Sequence, residues 1–182
     1  MKGFGLLIVA AALVAGGAYA ALSLRDPETR TVTATTTQTV EATPTVVGGA
    51  LPAAVETTRA AIAAAAEAHD PAALRRLIPT DGFTYSYGGP YPGGAVAYWA
   101  HLEQTSDDRP YETLAQVMRL PSTLRQGLYV WPFAYGTPKG ELTEYERGLL
   151  GTLVKSYVGE DYYGWRAGIR PDGTWVFFVS GD

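Results

Sequence analysis

The chain has 182 residues, of which 47% are hydrophobic and 18% are charged, a composition typical of globular proteins rather than disordered ones. This length allows one ordinary domain together with an attachment segment. The net charge of -4 provides no basic face for a phosphate backbone, and the lack of cysteine excludes disulfides, thiolate metal sites and a cysteine nucleophile. We therefore expect no nucleic-acid partner.

The N-terminal segment predicts a location outside the cytoplasm. Residues 3–24 carry no charged side chain, and this run is long enough to cross a bilayer as a helix before Arg25 ends it. The Ala-Tyr-Ala sequence at residues 18–20 also fits a signal-peptidase site. Residues 1–25 are therefore either a transmembrane anchor or a signal peptide. The first alternative predicts a single-pass protein of a bacterial cell membrane, and the second predicts a secreted one.

Residues 26–50 are rich in threonine and contain Pro44, Gly48 and Gly49, so neither helical nor strand periodicity gives them a hydrophobic face. They predict a flexible linker that holds the folded part away from the membrane. Residues 51–182 then form the globular domain.

The alanine-rich start of the domain predicts two helices. One apolar face repeats at helical spacing through Leu51, Val55, Thr58, Ile62, Ala65 and His69. Asp70 followed by Pro71 is typical of an N-cap residue with proline at the first helical position, so a short second helix begins there.

The middle of the domain mixes strands and helices. Alternating aromatics predict a strand at residues 83–88, and helical spacing predicts a helix at residues 94–104. A fourth helix is expected to begin near Pro110 with Asp108 as its cap and to end before Pro121. Residues 128–133 predict a second short strand, which Pro132 either limits or places at a sheet edge.

The end of the domain predicts a helix and a β-hairpin. Thr143 and Glu146 form a capping box, and an apolar stripe continues from it to Tyr157. Residues 170–173, Arg-Pro-Asp-Gly, predict a tight turn between two alternating strands. The alternation assigns one face to the core, with Trp165, Ile169, Trp175 and Phe177, and leaves an open face with Tyr162, Arg166 and Phe178. The expected fold class is α+β, with several helices on a small curved antiparallel sheet closed by this hairpin.

The segment AAIAAAAEAHDPAALRRLIPTDGFTYSYG, residues 60–88, resembles the start of the NTF2-like superfamily, in which a long and a short helix lead into the first strand. The C-terminal hairpin also resembles that fold, whereas the predicted helices in the middle depart from it. The resemblance implies a pocket between helices and a curved sheet, used in that superfamily for small ligands, for catalysis or for protein contacts.

Few residues are equipped for chemistry. The chain has only two histidines, so no metal site is expected, and no motif implies a cofactor or identifies a catalytic residue. His69 at the end of the helical stripe has a structural explanation. Carboxylate pairs remain the catalytic option, although each of the three pairs has a structural role in a cap, a loop or a turn: Asp107 with Asp108, Glu144 with Glu146, and Glu160 with Asp161.

Aromatic residues are the strongest functional signal, although ordinary core packing is the favoured explanation for them. The candidate ligand-binding residues are Tyr85, Tyr87, Trp99, Trp131, Tyr135 and Arg166. We expect a membrane-tethered extracytoplasmic module without catalysis that binds a small ligand or an envelope protein. The alternative is an envelope enzyme with a carboxylate in an NTF2-like pocket.

Overall fold

The computed structural model describes residues 45–47 and 50–181. In this part of the chain the α-helices are α1 (Ala53–Glu67), α2 (Pro71–Leu77), α3 (Gly94–Thr105), α4 (Pro110–Arg119) and α5 (Glu144–Leu150). Two short 3₁₀ helices span Lys139–Glu141 and Gly151–Ser156. No helix among these residues is long and apolar enough to cross a membrane. The predicted anchor at residues 1–25 lies outside the described residues, as does most of the predicted linker.

The strands are β1 (Thr45–Val47), β2 (Ser122–Arg125), β3 (Leu128–Trp131), β4 (Tyr157–Val158), β5 (Asp161–Tyr162), β6 (Arg166–Ile169) and β7 (Trp175–Val179). Five of them form an antiparallel sheet in the order β1-β2-β3-β6-β7, and β4 pairs separately with β5. The predicted α+β class, with helices beside a small antiparallel sheet and a C-terminal hairpin, is confirmed. β1 lies within the segment assigned to the linker, so the sheet includes part of that segment.

The junction between α1 and α2 forms as the sequence predicts. The Asp70 side chain accepts hydrogen bonds from the amides of Ala72 and Ala73, both at 2.9 Å, and Pro71 starts the helix. At the end of α1, the Asp70 amide donates to the Ala65 carbonyl and the His69 amide donates to the Ala66 carbonyl. This pattern is a Schellman motif, which satisfies carbonyls at the helix end.

His69 stands at the left-handed position of that motif with a φ of 47°, where glycine is the usual residue. A non-glycine residue in this conformation costs about 1 to 2 kcal/mol. We expect His69→Gly to have a higher free energy of unfolding than His69→Ala, by about 1 kcal/mol. Both variants lack the imidazole ring, so chemical denaturation of the pair isolates the backbone effect. Equal stabilities would contradict the assigned conformation.

Two local predictions are wrong. Residues 83–88 are not a strand, because only Thr84 pairs, in a single parallel bridge to Phe177 on β7. Alternation gives an extended backbone, but a strand also needs a partner along its length.

Asp108 does not cap α4, since Arg109 occupies that position without a side-chain cap and Asp108 contacts the Ser106 hydroxyl at 3.2 Å instead.

The capping box of α5 is confirmed. The Thr143 hydroxyl accepts from the Glu146 amide, and the Glu146 carboxylate accepts from the Thr143 amide. The hydrogen bonds that this carboxylate accepts from the Thr143 amide and the Thr143 hydroxyl hold the pKa of the Glu146 carboxyl below its usual range. The α-helix stops at Leu150, earlier than predicted, and the chain continues as a 3₁₀ helix from Gly151, where φ is 53°.

The C-terminal hairpin is confirmed, but the assignment of its faces is partly wrong. Gly168 pairs with Phe177 and Ile169 pairs with Trp175, so Val176 is left over as a bulge. The bulge changes the alternation within β7 and brings Phe178 to the face that carries Trp175. Tyr162, Arg166 and Phe178, expected on an open face, are 5%, 5% and 0% exposed.

The core lies between the helices and this face of the sheet. The Trp99 ring of α3 packs against Trp175 and Phe178, with ring centroids 5.9 and 5.4 Å apart, and Phe83 closes over Trp175 at 4.8 Å. Such tilted and edge-to-face contacts suit aromatic packing. Trp175 and Phe178 of the hairpin therefore belong to the core.

Candidate functional site

Two of the candidate ligand-binding residues belong to the core. Trp99 is 0% exposed and Trp131 is 1% exposed, and Trp131 lies in the central strand β3, opposite Ala167 of β6. Neither indole can contact a ligand at the surface without a large rearrangement of the domain.

Tyr85 and Tyr87 instead line a surface cleft of about 300 Å³, called here the aromatic cleft. Its other principal lining residues are Tyr98, Leu102, Asp108 and Trp165. The extended segment after α2, one side of α3, the loop between α3 and α4 and the residue before β6 supply these side chains, so the cleft lies where four separate parts of the chain meet.

Tyr87 is exposed and yet firmly held. Its side chain is 54% exposed, while its hydroxyl accepts a hydrogen bond at 3.0 Å from Nη2 of the buried Arg166. The same guanidinium donates to the carbonyls of Gly181 at 2.7 Å and Gly164 at 3.3 Å. Arg166 does not line the cleft, and it therefore acts as a positioning residue for Tyr87.

The Tyr135 ring contacts the same guanidinium. The Arg166 guanidinium lies 5.0 Å from the centre of the Tyr135 ring, and the Arg125 guanidinium lies 5.4 Å from the same centre. Such contacts between cations and ring faces are attractive. The structure thus connects three predicted residues, Tyr87, Arg166 and Tyr135, but only Tyr87 among them lines the cleft.

Tyr85 is fixed by a comparable contact. Its hydroxyl accepts a hydrogen bond at 2.7 Å from the Tyr91 amide, and its ring lies 5.7 Å from the Tyr98 ring. The Tyr85 and Tyr87 hydroxyls each accept one hydrogen bond. Within residues 50–181 neither phenolic proton has an acceptor. Both remain able to donate to a bound molecule.

The lining residue with a negative charge is Asp108, which is exposed at the rim and contacts the Ser106 hydroxyl. An exposed carboxylate accepts hydrogen bonds readily. The cleft therefore offers ring faces, hydroxyl donors and one carboxylate acceptor side by side.

The chain was compared with protein-family models, with curated proteins and with solved structures. None of the three comparisons gives a match.

Sequence reasoning did not select Tyr98, Asp108 or Trp165 for the site. Tyr98 precedes the buried Trp99 on α3, so helical geometry places it at the border of the core. This position next to a core residue is the sequence signal by which Tyr98 could have been selected. Asp108 resembled a cap, and Trp165 was assigned to the buried face of the hairpin. The sequence holds no comparable signal for these two.

A second polar group lies around the end of α1. Nε2 of His69 is 3.9 Å from Oε1 of Glu103, which is too long for a hydrogen bond, and the imidazole packs 5.3 Å from the Tyr111 ring. Burial, and then the charge of Glu103, raises the pKa of Tyr111, whose hydroxyl contacts the Val96 carbonyl at 3.3 Å.

No group of three metal-binding side chains is found among the described residues.

Proposed function

We propose that the folded domain is a non-catalytic binding module whose aromatic cleft takes a neutral, hydroxyl-bearing ring such as a sugar. The observation that carries this proposal is the pairing of an exposed Tyr87 with the buried Arg166. Burial of a guanidinium is costly unless its donors are satisfied. Here one of the Arg166 donors holds the Tyr87 side chain, which faces solvent. Core packing alone does not require this contact.

Fixing the ring before binding favours affinity. An aromatic side chain that is already held in place loses little rotamer freedom when a ligand arrives. Tyr85, held by the Tyr91 amide, benefits in the same way. Two immobilised rings beside each other support a function in recognition.

The chemistry of the cleft favours a neutral polyol. Ring faces pack against the carbon-bound hydrogens of a sugar, while the free phenolic protons and the Asp108 carboxylate match its hydroxyl groups. The negative charge of Asp108 disfavours an anionic ligand at the rim, because like charges repel. A neutral sugar satisfies both requirements.

The alternative envelope enzyme requires a carboxylate with a raised pKa in the pocket. Among the residues that line the cleft, Asp108 is the carboxylate, and its exposure supports binding rather than acid-base chemistry. We also propose that residues 1–25 tether the module to the membrane and keep it outside the cytoplasm. We propose the NTF2-like resemblance as well, supported by the order of α1, α2, the extended aromatic segment and the final hairpin.

The proposal is tested by titrating the full chain with N-acetylglucosamine, in a detergent without a sugar headgroup. We expect signals of Tyr85, Tyr87 and Trp165 to shift in NMR spectra. Tyr87→Ala should weaken binding at least about tenfold, because it removes both the ring and the hydroxyl. Tyr87→Phe keeps the ring and should have a smaller effect.

Tyr145→Ala is the matched control, since Tyr145 is 75% exposed and does not line the aromatic cleft. It should leave the affinity unchanged. A spectrum that stays constant at millimolar sugar, or equal losses for Tyr87→Ala and Tyr145→Ala, would count against the proposed function.

A further inference from the structure

A continuous run of aromatic rings extends beyond the aromatic cleft. Tyr98, which lines the cleft, lies 5.6 Å from Tyr91, and Tyr91 stacks on His101 at 5.3 Å with an angle of 24° between the ring planes. Tyr91 and His101 do not line the cleft itself. We call this pair the stacked platform, and Tyr98 joins it to the cleft.

The platform is not required by the core. Tyr85 and Tyr98 pack against the buried cluster, whereas Tyr91 and His101 do not belong to it. His101 is exposed on α3 and Tyr91 is partly exposed in the preceding loop. Core packing, which explains Trp99 and Trp175, therefore does not account for these two rings.

The backbone holds Tyr91 in a fixed position. Pro90 and Pro92 flank it, and proline restricts both its own φ and the conformation of the residue before it. The Tyr91 amide donates to the Tyr85 hydroxyl at 2.7 Å, and its carbonyl accepts from the Gly94 amide at 2.9 Å. The loop backbone that carries this partly exposed ring therefore has little freedom left to lose on binding.

We propose that the stacked platform is a second sugar subsite beside the aromatic cleft, and that the ligand is a linear neutral oligosaccharide. This inference rests on the proposed function, because it adds a subsite to the same site. Two fixed aromatic surfaces joined by Tyr98 suit successive rings of one chain. A single sugar would occupy the cleft and leave the platform unused.

The joining residue also favours one extended ligand over two separate ones. Tyr98 contacts Tyr85 on the cleft side and Tyr91 on the platform side. Linking two weak contacts in one molecule makes the second contact intramolecular, which raises the overall affinity without any new interaction.

The test compares N-acetylglucosamine with its β-linked tetramer, by calorimetry on the full chain in a detergent without a sugar headgroup. The tetramer should bind at least about tenfold more tightly than the monomer. His101→Ala should remove most of this gain while the monomer affinity stays unchanged. Alanine suits the exposed helical position of His101, so the fold should be retained.

Tyr91→Ala should act in the same direction, and a circular dichroism spectrum like that of the unaltered chain should confirm that the loop change leaves the domain folded. Tyr145→Ala again serves as the control. Equal affinities for monomer and tetramer, or an equal loss for both ligands in His101→Ala, would overturn the second subsite while leaving the first intact. Failure of both sugars to bind would overturn the proposed function itself.

Discussion

Replacing Trp175 with alanine is expected to destabilise the domain by about 3 to 5 kcal/mol, the usual cost of emptying a large aromatic site. Trp175 is 0% exposed, and its ring packs against Phe83 and Trp99. Its indole N–H also donates to the Phe177 carbonyl at 2.9 Å, so the substitution removes a hydrogen bond as well. A loss of this size is a large fraction of the ~5 to 15 kcal/mol by which folded domains are usually stable.

Thermal unfolding of Trp175→Ala measures this effect directly. Val158→Ala is the control, because Val158 is 69% exposed and its removal should change the stability by no more than about 0.5 kcal/mol. An unchanged melting temperature for Trp175→Ala would mean that the indole is not part of the core, and the assignment of the hairpin would then fail.

The features that sequence reasoning predicted well depend on neighbouring residues. Asp70 caps α2 through amides two and three positions ahead, and Thr143 and Glu146 bond to each other within one turn. The turn at residues 170–173 is equally local, with the Gly173 amide donating to the Arg170 carbonyl at 2.9 Å. Such contacts form within a short segment, so its sequence is sufficient to predict them.

The sheet was harder to predict because its pairing is not local. β2 was missed, although it forms a hairpin with β3 through Gln126 and Gly127, both of which have positive φ. Gln-Gly is not among the usual residue pairs of such turns. β3 was identified, but its central place in the sheet depends on β2 and β6 together.

The candidate site illustrates the same limit. A regular β7 would place Phe177 beside Trp175, and only the bulge at Val176 reverses this arrangement. Arg166 is buried because it reaches the Gly181 carbonyl and the Tyr87 hydroxyl, two groups that are distant from it in sequence. The sequence could identify Tyr87 and Arg166 as candidates, but it could not show that one holds the other.

Gly173→Val is the second substitution with a large expected effect, because it combines backbone strain with a collision. Gly173 has a φ of 88°, which costs a β-branched residue about 1 to 3 kcal/mol. An added Cβ would lie 2.9 Å from the Ala54 carbonyl oxygen, a backbone atom of α1 that cannot easily move. This crowding adds about 1 to 3 kcal/mol.

Gly159→Val separates the two contributions. Gly159 also has a positive φ, 61°, but an added Cβ there would meet no atom within 4 Å, so this variant carries the strain alone. Chemical denaturation should therefore show a larger loss for Gly173→Val, by about 1 to 3 kcal/mol. The Thr58 hydroxyl donates to the Gly173 carbonyl at 2.8 Å, so the turn is joined to α1 and cannot move away without losing that bond. Equal losses for the two variants would mean that the turn does not pack against α1, and that the hairpin is held to the helices by its core side chains alone.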